Sequence, residues 1–187
     1  MSGVRDRPYA TLLCSTKVAG KSDDGNATRV GGYPEDMVSV TQRHKAEVET
    51  AVTALASALH VPVPPSSATQ LCRLVRDADA HGVVVSRAQR ALAVRAAAQA
   101  LEARRPGGTV ELRIPPYAAV QLGLGEDVTP SGAPRHRRGT PPTVVETDAA
   151  TFADLIIGTV TWADALSTHR IQASGAHADL ADLFPLP

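Results

Sequence analysis

Apolar side chains recur at helical spacing in three segments that precede residue 105. The first, residues 41–59, carries valines and leucines at separations of 4, 3 and 4 positions, which form one stripe on a helix. The second, residues 71–78, carries a shorter stripe, and the proline-rich segment 61–67 between them reads as a stiff linker. The third, residues 87–104, is rich in alanine and follows Ser86, a residue type that caps helices well. The pattern therefore predicts three successive helices.

Extended segments follow these helices. Between residues 110 and 114, apolar side chains alternate with charged ones, which predicts a strand with one buried face. Two prolines interrupt this strand, and an apolar extended run resumes over residues 117–122. The β-branched pair Val144 and Val145 predicts another strand, and the alternation over residues 171–174 predicts the last one.

Three further helices are predicted in the C-terminal part. Residues 152–156 place three large apolar side chains on one helix face. Thr161, with an aspartate three positions later, resembles a capping box and predicts a short helix over residues 162–166. Residues 180–184 carry the apolar face of a predicted closing helix, which the following proline stops.

The order of these elements predicts the fold class and the organisation of the chain. From residue 87 to residue 187 the order is helix, strands, two helices, strand and helix, which predicts an α/β (α+β) domain with a single sheet covered on one side by helices. Residues 37–86 are then an appended helical N-terminal extension. Residues 1–36 are polar and glycine-rich, which predicts a disordered leader or a segment outside the native product, with Met37 as an alternative start. Whether the extension packs on the domain, covers a cavity or mediates dimer contacts is left open by the pattern.

The amino-acid composition of the chain limits the classes of binding partner that we expect. Hydrophobic residues make up 43% and aromatic residues 3% of the chain, so the predicted core is aliphatic. The formal net charge is zero, which disfavours nucleic acid or an anionic membrane as a partner held by charge. No apolar run approaches the ~20 residues that span a bilayer, so stable membrane insertion is not expected. The two cysteines have no motif spacing, which together with the absence of a full signal sequence predicts a cytoplasmic protein.

The chain shows no motif that carries catalysis. Its six histidines lie at no metal-ligand spacing, and the G-x-S-x-G nucleophile turn and a complete dinucleotide loop are absent. We therefore expect no catalytic residue, no metal, no cofactor and no enzymatic activity. The basic cluster of residues 134–139 is either an anion or headgroup site or a solvated loop. Its candidate side chains for an anion are Arg135, His136 and Arg138.

Five stretches of the last hundred residues carry a family resemblance. They are ELRIPPYAAVQ (111–121), HRRGTPPTVVETD (136–148), TWADAL (161–166), RIQASG (170–175) and ADLADLFPL (178–186). In this order they resemble the bacterial sterol-carrier-protein-2-like (SCP2-like) proteins. The resemblance implies a sheet of about five strands with an apolar tunnel between the sheet and the helices. It also implies non-catalytic binding of lipids, fatty acyl chains or sterol-like molecules, with no cofactor.

Two functions remain as hypotheses. The first is binding or carriage of an apolar small-molecule ligand, and the second is a structural or protein-interaction module with a filled cavity that uses the N-terminal helices for docking or for forming a homodimer. Core side chains and cavity-lining side chains have the same apolar character in a sequence, and Trp162 illustrates both interpretations. The candidate lining residues, taken from the apolar faces, are Leu112, Ile114, Tyr117, Val120, Phe152, Ile156, Trp162, Leu166, Leu180 and Phe184.

Overall fold

The computed structural model describes the backbone of residues 35–123 and 143–187, and the side chains from residue 44 onward within these ranges. Residues 1–34 of the predicted leader and the basic cluster with Arg135, His136 and Arg138 lie outside the described residues, and α1 begins two residues before the predicted end of the leader. The described helices are α1 (Glu35–Ala58), α2 (Ala68–Ala80), α3 (Arg87–Arg104), α4 (Ala149–Ile157) and α5 (Trp162–Ser167). The described strands are β1 (Pro106–Ile114), β2 (Ala118–Leu122), β3 (Thr143–Thr147) and β4 (Ile171–Ser174).

The helices begin where the sequence offers capping side chains. Ser86 and Gln89 form a reciprocal capping box at the start of α3, which satisfies two backbone N–H groups that the first turn leaves unpaired. Asp148 accepts hydrogen bonds from the backbone of α4, and Thr161 does so for α5. These local bonds fix the predicted starts of the helices after Ser86 and Thr161.

The strands form one mixed sheet in the order β2-β1-β3-β4. β1 pairs antiparallel with β2 and parallel with β3, and β3 pairs antiparallel with β4. The predicted α/β fold with a single sheet is confirmed. The described residues contain four strands, one fewer than the five that the resemblance implied.

The hydrophobic core lies on one face of this sheet. Val110, Leu112 and Ile114 of β1 are at most 1% exposed and belong to the same apolar cluster as α3 and α4. The charged Glu111 and Arg113 alternate with them and are less buried, as a strand with two different faces requires. The predicted cover of helices on one side of the sheet is therefore confirmed.

The two helices of the extension share this core. α2 packs against both α3 and α4, while α1 packs against α2 and α3. Cys72 of α2 is fully buried and its thiol donates a hydrogen bond to the carbonyl of Ala93, with sulfur and oxygen 3.7 Å apart. Burial raises the pKa of the Cys72 thiol to about 12, so the group stays protonated and unreactive. The prediction that Cys72 is a small core residue is confirmed.

A buried carboxylate also joins the extension to the rest of the fold. Asp154 of α4 accepts two hydrogen bonds from Arg76 of α2, with Nε–Oδ1 at 2.8 Å and Nη2–Oδ2 at 3.3 Å. Arg170, just before β4, donates a third from Nη2 to Oδ2 at 2.8 Å. The hydrogen bond to Asp154 raises the pKa of Arg76. Because the Asp154 side chain is only 10% exposed, these two guanidinium partners replace much of the water that would otherwise solvate its carboxylate.

The predicted closing helix is wrong. The segment forms one turn of 3-10 helix at Ala181–Leu183 and then continues in extended form. Phe184 precedes a proline, and that position disfavours helical geometry, so too few residues remain to nucleate an α-helix. The segment is nevertheless well packed, because Leu180, Leu183 and Leu186 are buried and the N–H of Leu186 donates to the carbonyl of Ile156.

Candidate ligand site

Half of the ten candidate lining residues lie deep in the core. They are at most 2% exposed and belong to one continuous apolar cluster that joins the sheet to the helices: Leu112, Ile114, Phe152, Ile156 and Leu180. Tyr117 and Val120 are half-buried against the same cluster at the edge formed by β2. Leu166 lies on the outside of α5 with 36% of its surface exposed.

The remaining two candidates form an aromatic stack. The rings of Trp162 and Phe184 are nearly parallel, with an interplanar angle of 11° and centroids 5.8 Å apart. Phe184 also meets Phe152 edge to face, with centroids 6.4 Å apart and an angle of 90°. Both arrangements are favourable for aromatic quadrupoles. Phe184 therefore connects the core to a wall formed with Trp162.

An apolar pocket of about 300 Å³ lies against this stack. Its walls come from the C-terminal end of α4, the following loop, the start of α5 and the C-terminal segment. The lining residues are Leu155, Gly158, Val160, Thr161, Trp162, Ala163, Ala181, Phe184 and Pro185. We refer to it below as the Trp162 pocket. Only Trp162 and Phe184 of these residues were predicted to line a ligand site, because the small residues of the wall do not stand out in an apolar pattern.

Local backbone geometry shapes the Trp162 pocket. Gly158 ends α4 in the left-handed conformation at φ 76°, a region that favours glycine. A Cβ at this position would lie 3.2 Å from Cβ of Pro185, so the glycine also lets the C-terminal segment approach closely. Three residues later, Thr161 caps α5 and places Trp162 in its first turn. The short loop between these two residues thus turns the Trp162 ring towards Phe184.

The polar groups of the Trp162 pocket are few. The hydroxyl of Thr161 donates to Oδ2 of Asp164 at 2.7 Å and accepts from the backbone N–H of Asp164 at 3.1 Å. The Trp162 indole is 6% exposed, and its Nε1–H is buried with no hydrogen-bond acceptor among the described residues. Buried donors are nearly always paired, and an unpaired one costs about 1–3 kcal/mol. The lining side chains are thus apolar except for those of Thr161 and Trp162, and the buried Nε1–H of Trp162 is unpaired.

A second apolar depression lies between α1 and α3 and has a volume of about 510 Å³. We call it the α1–α3 groove. Its lining consists mainly of small side chains, with Glu47 and Arg95 among its polar members. The complete lining is Ala46, Glu47, Thr50, Ala51, Ala54, Ala88, Gln89, Leu92 and Arg95.

A third pocket, of about 500 Å³, is polar and lies beside β3 and β4. Glu146, Asp148, His169 and Arg170 contribute charged or ionisable groups to its wall. Burial alone would raise the pKa of Asp148, but hydrogen bonds from the Thr151 hydroxyl and from the N–H groups of Thr151 and Ala150 outweigh it and lower that pKa. Asp148 and Arg170 are therefore occupied in capping α4 and in binding Asp154.

Two further properties bear on the function. In the described ranges, no three His, Cys, Asp or Glu side chains lie close enough together to hold a metal ion. The described helices include none that is long and apolar enough to cross a membrane.

Comparison with known proteins gives one family. No curated protein matches the chain. The family model described as bacterial SCP ortholog matches residues 86–186, which is more than half of the chain. The match covers α3, the four described strands, α4, α5 and most of the C-terminal segment, which are the elements that form the sheet and the Trp162 pocket. The predicted resemblance is confirmed, and the chain belongs to the family of bacterial SCP orthologs.

Proposed function

We propose that the protein binds an apolar small molecule without catalysing a reaction, and that the ligand occupies the Trp162 pocket. Membership of a sterol-carrier-type family suggests a carrier function of this general kind. The stacked rings of Trp162 and Phe184 beside an apolar space of about 300 Å³ are the observation that supports this site most directly. Aromatic walls with few polar groups are typical of sites for small apolar ligands.

The size of the pocket limits its ligand. A volume of about 300 Å³ is at the lower end of the range for small-molecule sites. The ligand is therefore small, or only one end of a longer molecule enters. The tunnel between sheet and helices that the resemblance implied remains a prediction, and Leu112, Ile114, Phe152 and Ile156 line none of the three pockets described above.

The proposal is tested by native mass spectrometry of the purified full-length protein, followed by organic extraction. We expect one apolar guest per chain. The variant Ala163→Leu adds three carbon atoms at an exposed position of the pocket wall, so it should abolish guest binding with little effect on folding. The matched control is Ala88→Leu, which makes the same change in the α1–α3 groove and should leave the guest bound. A guest that is lost from Ala88→Leu and kept by Ala163→Leu would contradict the proposed site.

A second candidate function is a protein-interaction module with a filled interior. The tightly buried cluster between sheet and helices favours it, as does the α1–α3 groove, which carries one acid and one base on its walls. In this reading a second copy of the chain occupies the groove, with Glu47 of one copy near Arg95 of the other. Sedimentation velocity should then show a dimer that Arg95→Glu dissociates and that the double variant Glu47→Arg, Arg95→Glu restores. A protein that is monomeric throughout and carries a stoichiometric guest would exclude this candidate.

A further inference from the structure

The unpaired indole N–H of Trp162 restricts the chemical class of ligand that suits the Trp162 pocket. Nε1 is buried, and no acceptor in the described part of the chain reaches it. The residue lies in the wall of the Trp162 pocket and stacks on the half-buried Phe184. Of the nine lining residues, only Thr161 and Trp162 carry a polar side-chain group, and Thr161 already uses its hydroxyl in both directions with Asp164. The indole N–H is thus the one side-chain donor of the wall that remains available.

The charges around the pocket indicate what kind of acceptor fits. Its lining contains no lysine, arginine or histidine. The adjoining elements carry Asp164 in the first turn of α5 and Asp182 beside Ala181, and Arg104 donates a hydrogen bond to the carbonyl of Leu183. Arg105 binds Asp182, and Asp164 is bonded to Thr161. An ionised carboxylate or phosphate would therefore enter an apolar space whose lining offers it no cation, which is unfavourable.

From these observations we infer that the ligand is a neutral, mainly hydrocarbon molecule with one oxygen acceptor, such as an ether, ester, ketone or alcohol, which accepts a hydrogen bond from Nε1–H of Trp162. This inference rests on the proposed function and adds the chemical class of the ligand. Nε1 is covered in the structure, so the oxygen reaches it only when a neighbouring side chain shifts.

The sequence provides a clean test, because Trp162 is the only tryptophan of the chain. The full-length protein labelled with ¹⁵N gives a single indole N–H signal in its NMR spectrum. Dibutyl ether and nonane have the same chain length, and they differ in one oxygen that replaces a methylene. We expect dibutyl ether to move the indole proton signal downfield, as a new hydrogen bond does, and nonane to leave it without that shift.

Affinity gives an independent measurement. Biosynthetic replacement of tryptophan by 3-benzothienylalanine exchanges the indole N–H for sulfur at residue 162 alone and keeps the ring shape. Headspace partition then gives the dissociation constants of both volatile probes. The preference for ether over nonane should fall about fivefold in the replaced protein relative to the natural one, as expected for one lost hydrogen bond. Trp162→Phe should reduce the same ratio, whereas Ala88→Leu, which lies in the α1–α3 groove, should not change it.

The outcomes separate the two proposals. If neither probe binds, the Trp162 pocket is not an apolar ligand site and the proposed function fails with the inference. If both probes bind with an unchanged ratio after replacement, the apolar site stands and the inferred hydrogen bond is overturned. A lower ratio together with the downfield shift supports both.

Discussion

Two apolar regions of this molecule are built from the same kinds of side chain but differ in packing, because one is filled and the other contains a pocket. Between the sheet and the helices, Leu112, Ile114 and Phe152 are at most 1% exposed and part of one continuous core. At the C-terminal end of α4, Trp162 and Phe184 instead face an open pocket of about 300 Å³. Both regions contain unpaired buried polar groups, the hydroxyls of Thr109 and Thr143 in the sheet and the Nε1–H of Trp162 in the pocket wall.

The difference follows from the lengths of the elements. The core lies between β1, which is 9 residues long, and α3, which is 18 residues long. The apolar faces of elements of this length can pack against each other without a gap. The pocket is bounded by α5, of 6 residues, and by the 3-residue turn at Ala181–Leu183. These short elements bury Trp162 to 6% exposure but leave a pocket beside it. The space beside Trp162 therefore arises where short elements meet.

The largest effect is expected from truncating the aromatic residue on the core side. Phe152→Ala should lower the free energy of unfolding by about 3–5 kcal/mol, because it opens a cavity among fully buried neighbours. The matched change Phe184→Ala, in the half-buried ring that touches Phe152, should cost about half as much or less, because the pocket can rehydrate. Chemical denaturation measures both. Equal losses would show that the pocket side is as tightly constrained as the core.

The next effect concerns α4, which both regions share. Asp154→Ala should lower the free energy of unfolding by about 2–3 kcal/mol, because it removes the partner of Arg76 and Arg170 in a largely buried site. Asp79→Ala breaks the exposed pair with Arg90 and should cost under about 1 kcal/mol. The same denaturation curves, followed by Trp162 fluorescence, report on both variants. A smaller loss for Asp154→Ala than for Asp79→Ala would contradict the role of the buried carboxylate.

The third effect concerns two helix ends with left-handed backbone. Gly158→Ala at the pocket should cost about 1–2 kcal/mol, because a Cβ at φ 76° is strained and would crowd Pro185. His169 follows α5 at φ 56°, so His169→Gly should instead stabilise the protein by about 0.5 kcal/mol. Thermal unfolding of the two variants should shift in opposite directions. Shifts of the same sign would show that strain in the left-handed backbone does not determine the stability of these two helix ends.

The smallest effect is a pH dependence at the other end of α4. The pKa of Asp148 is lowered in the folded protein from its ordinary value of 3.8, so the native state binds fewer protons than the unfolded state near that pH. Its contribution is complete above the unfolded value and is lost as the pH falls through the folded value. As the pH falls from about 5 to about 3, the free energy of unfolding should therefore decrease less in Asp148→Asn than in the natural protein. The two decreases should differ by under about 1 kcal/mol.

Thermal melts across this pH range measure that difference. Asp79 also has a lowered pKa, because of its hydrogen bond from Arg90, so the variant keeps part of the acid sensitivity. Since Asp148 lies at the opposite end of α4 from Gly158, the fluorescence of Trp162 should stay constant until global unfolding. An early change of that fluorescence would show that the cap and the pocket are coupled.

Much of the fold could be predicted from local signals. The bounds of α3 follow from Ser86 and the alanine-rich run, and the buried face of β1 follows from alternation. The strand order could not be predicted, because the parallel pairing of Leu112 with Val145 joins residues that are distant in the chain. The start of β1 at Pro106 was also missed, because that residue pairs with Leu122 across an irregular register that a sequence pattern does not show.

The site could be predicted only in part. Trp162 and Phe184 were named among the candidate lining residues, but the same apolar criterion selected Leu112 and Ile114, which pack in the core. Apolar character records that a side chain leaves water and does not record whether another side chain fills the space beside it. Small residues such as Ala163 decide that question, and they give no signal in a hydrophobic pattern.

The contact between Arg76 and Asp154 has a practical consequence for recombinant work. A fragment trimmed to the family-matched residues 86–186 would lose Arg76 together with the rest of α2. The apolar surfaces of α3 and α4 that α2 covers would then face the solvent. Such a fragment should bind detergent and lipid non-specifically through this newly exposed apolar surface. Lipid that copurifies with it would therefore not identify the natural ligand of the full-length protein.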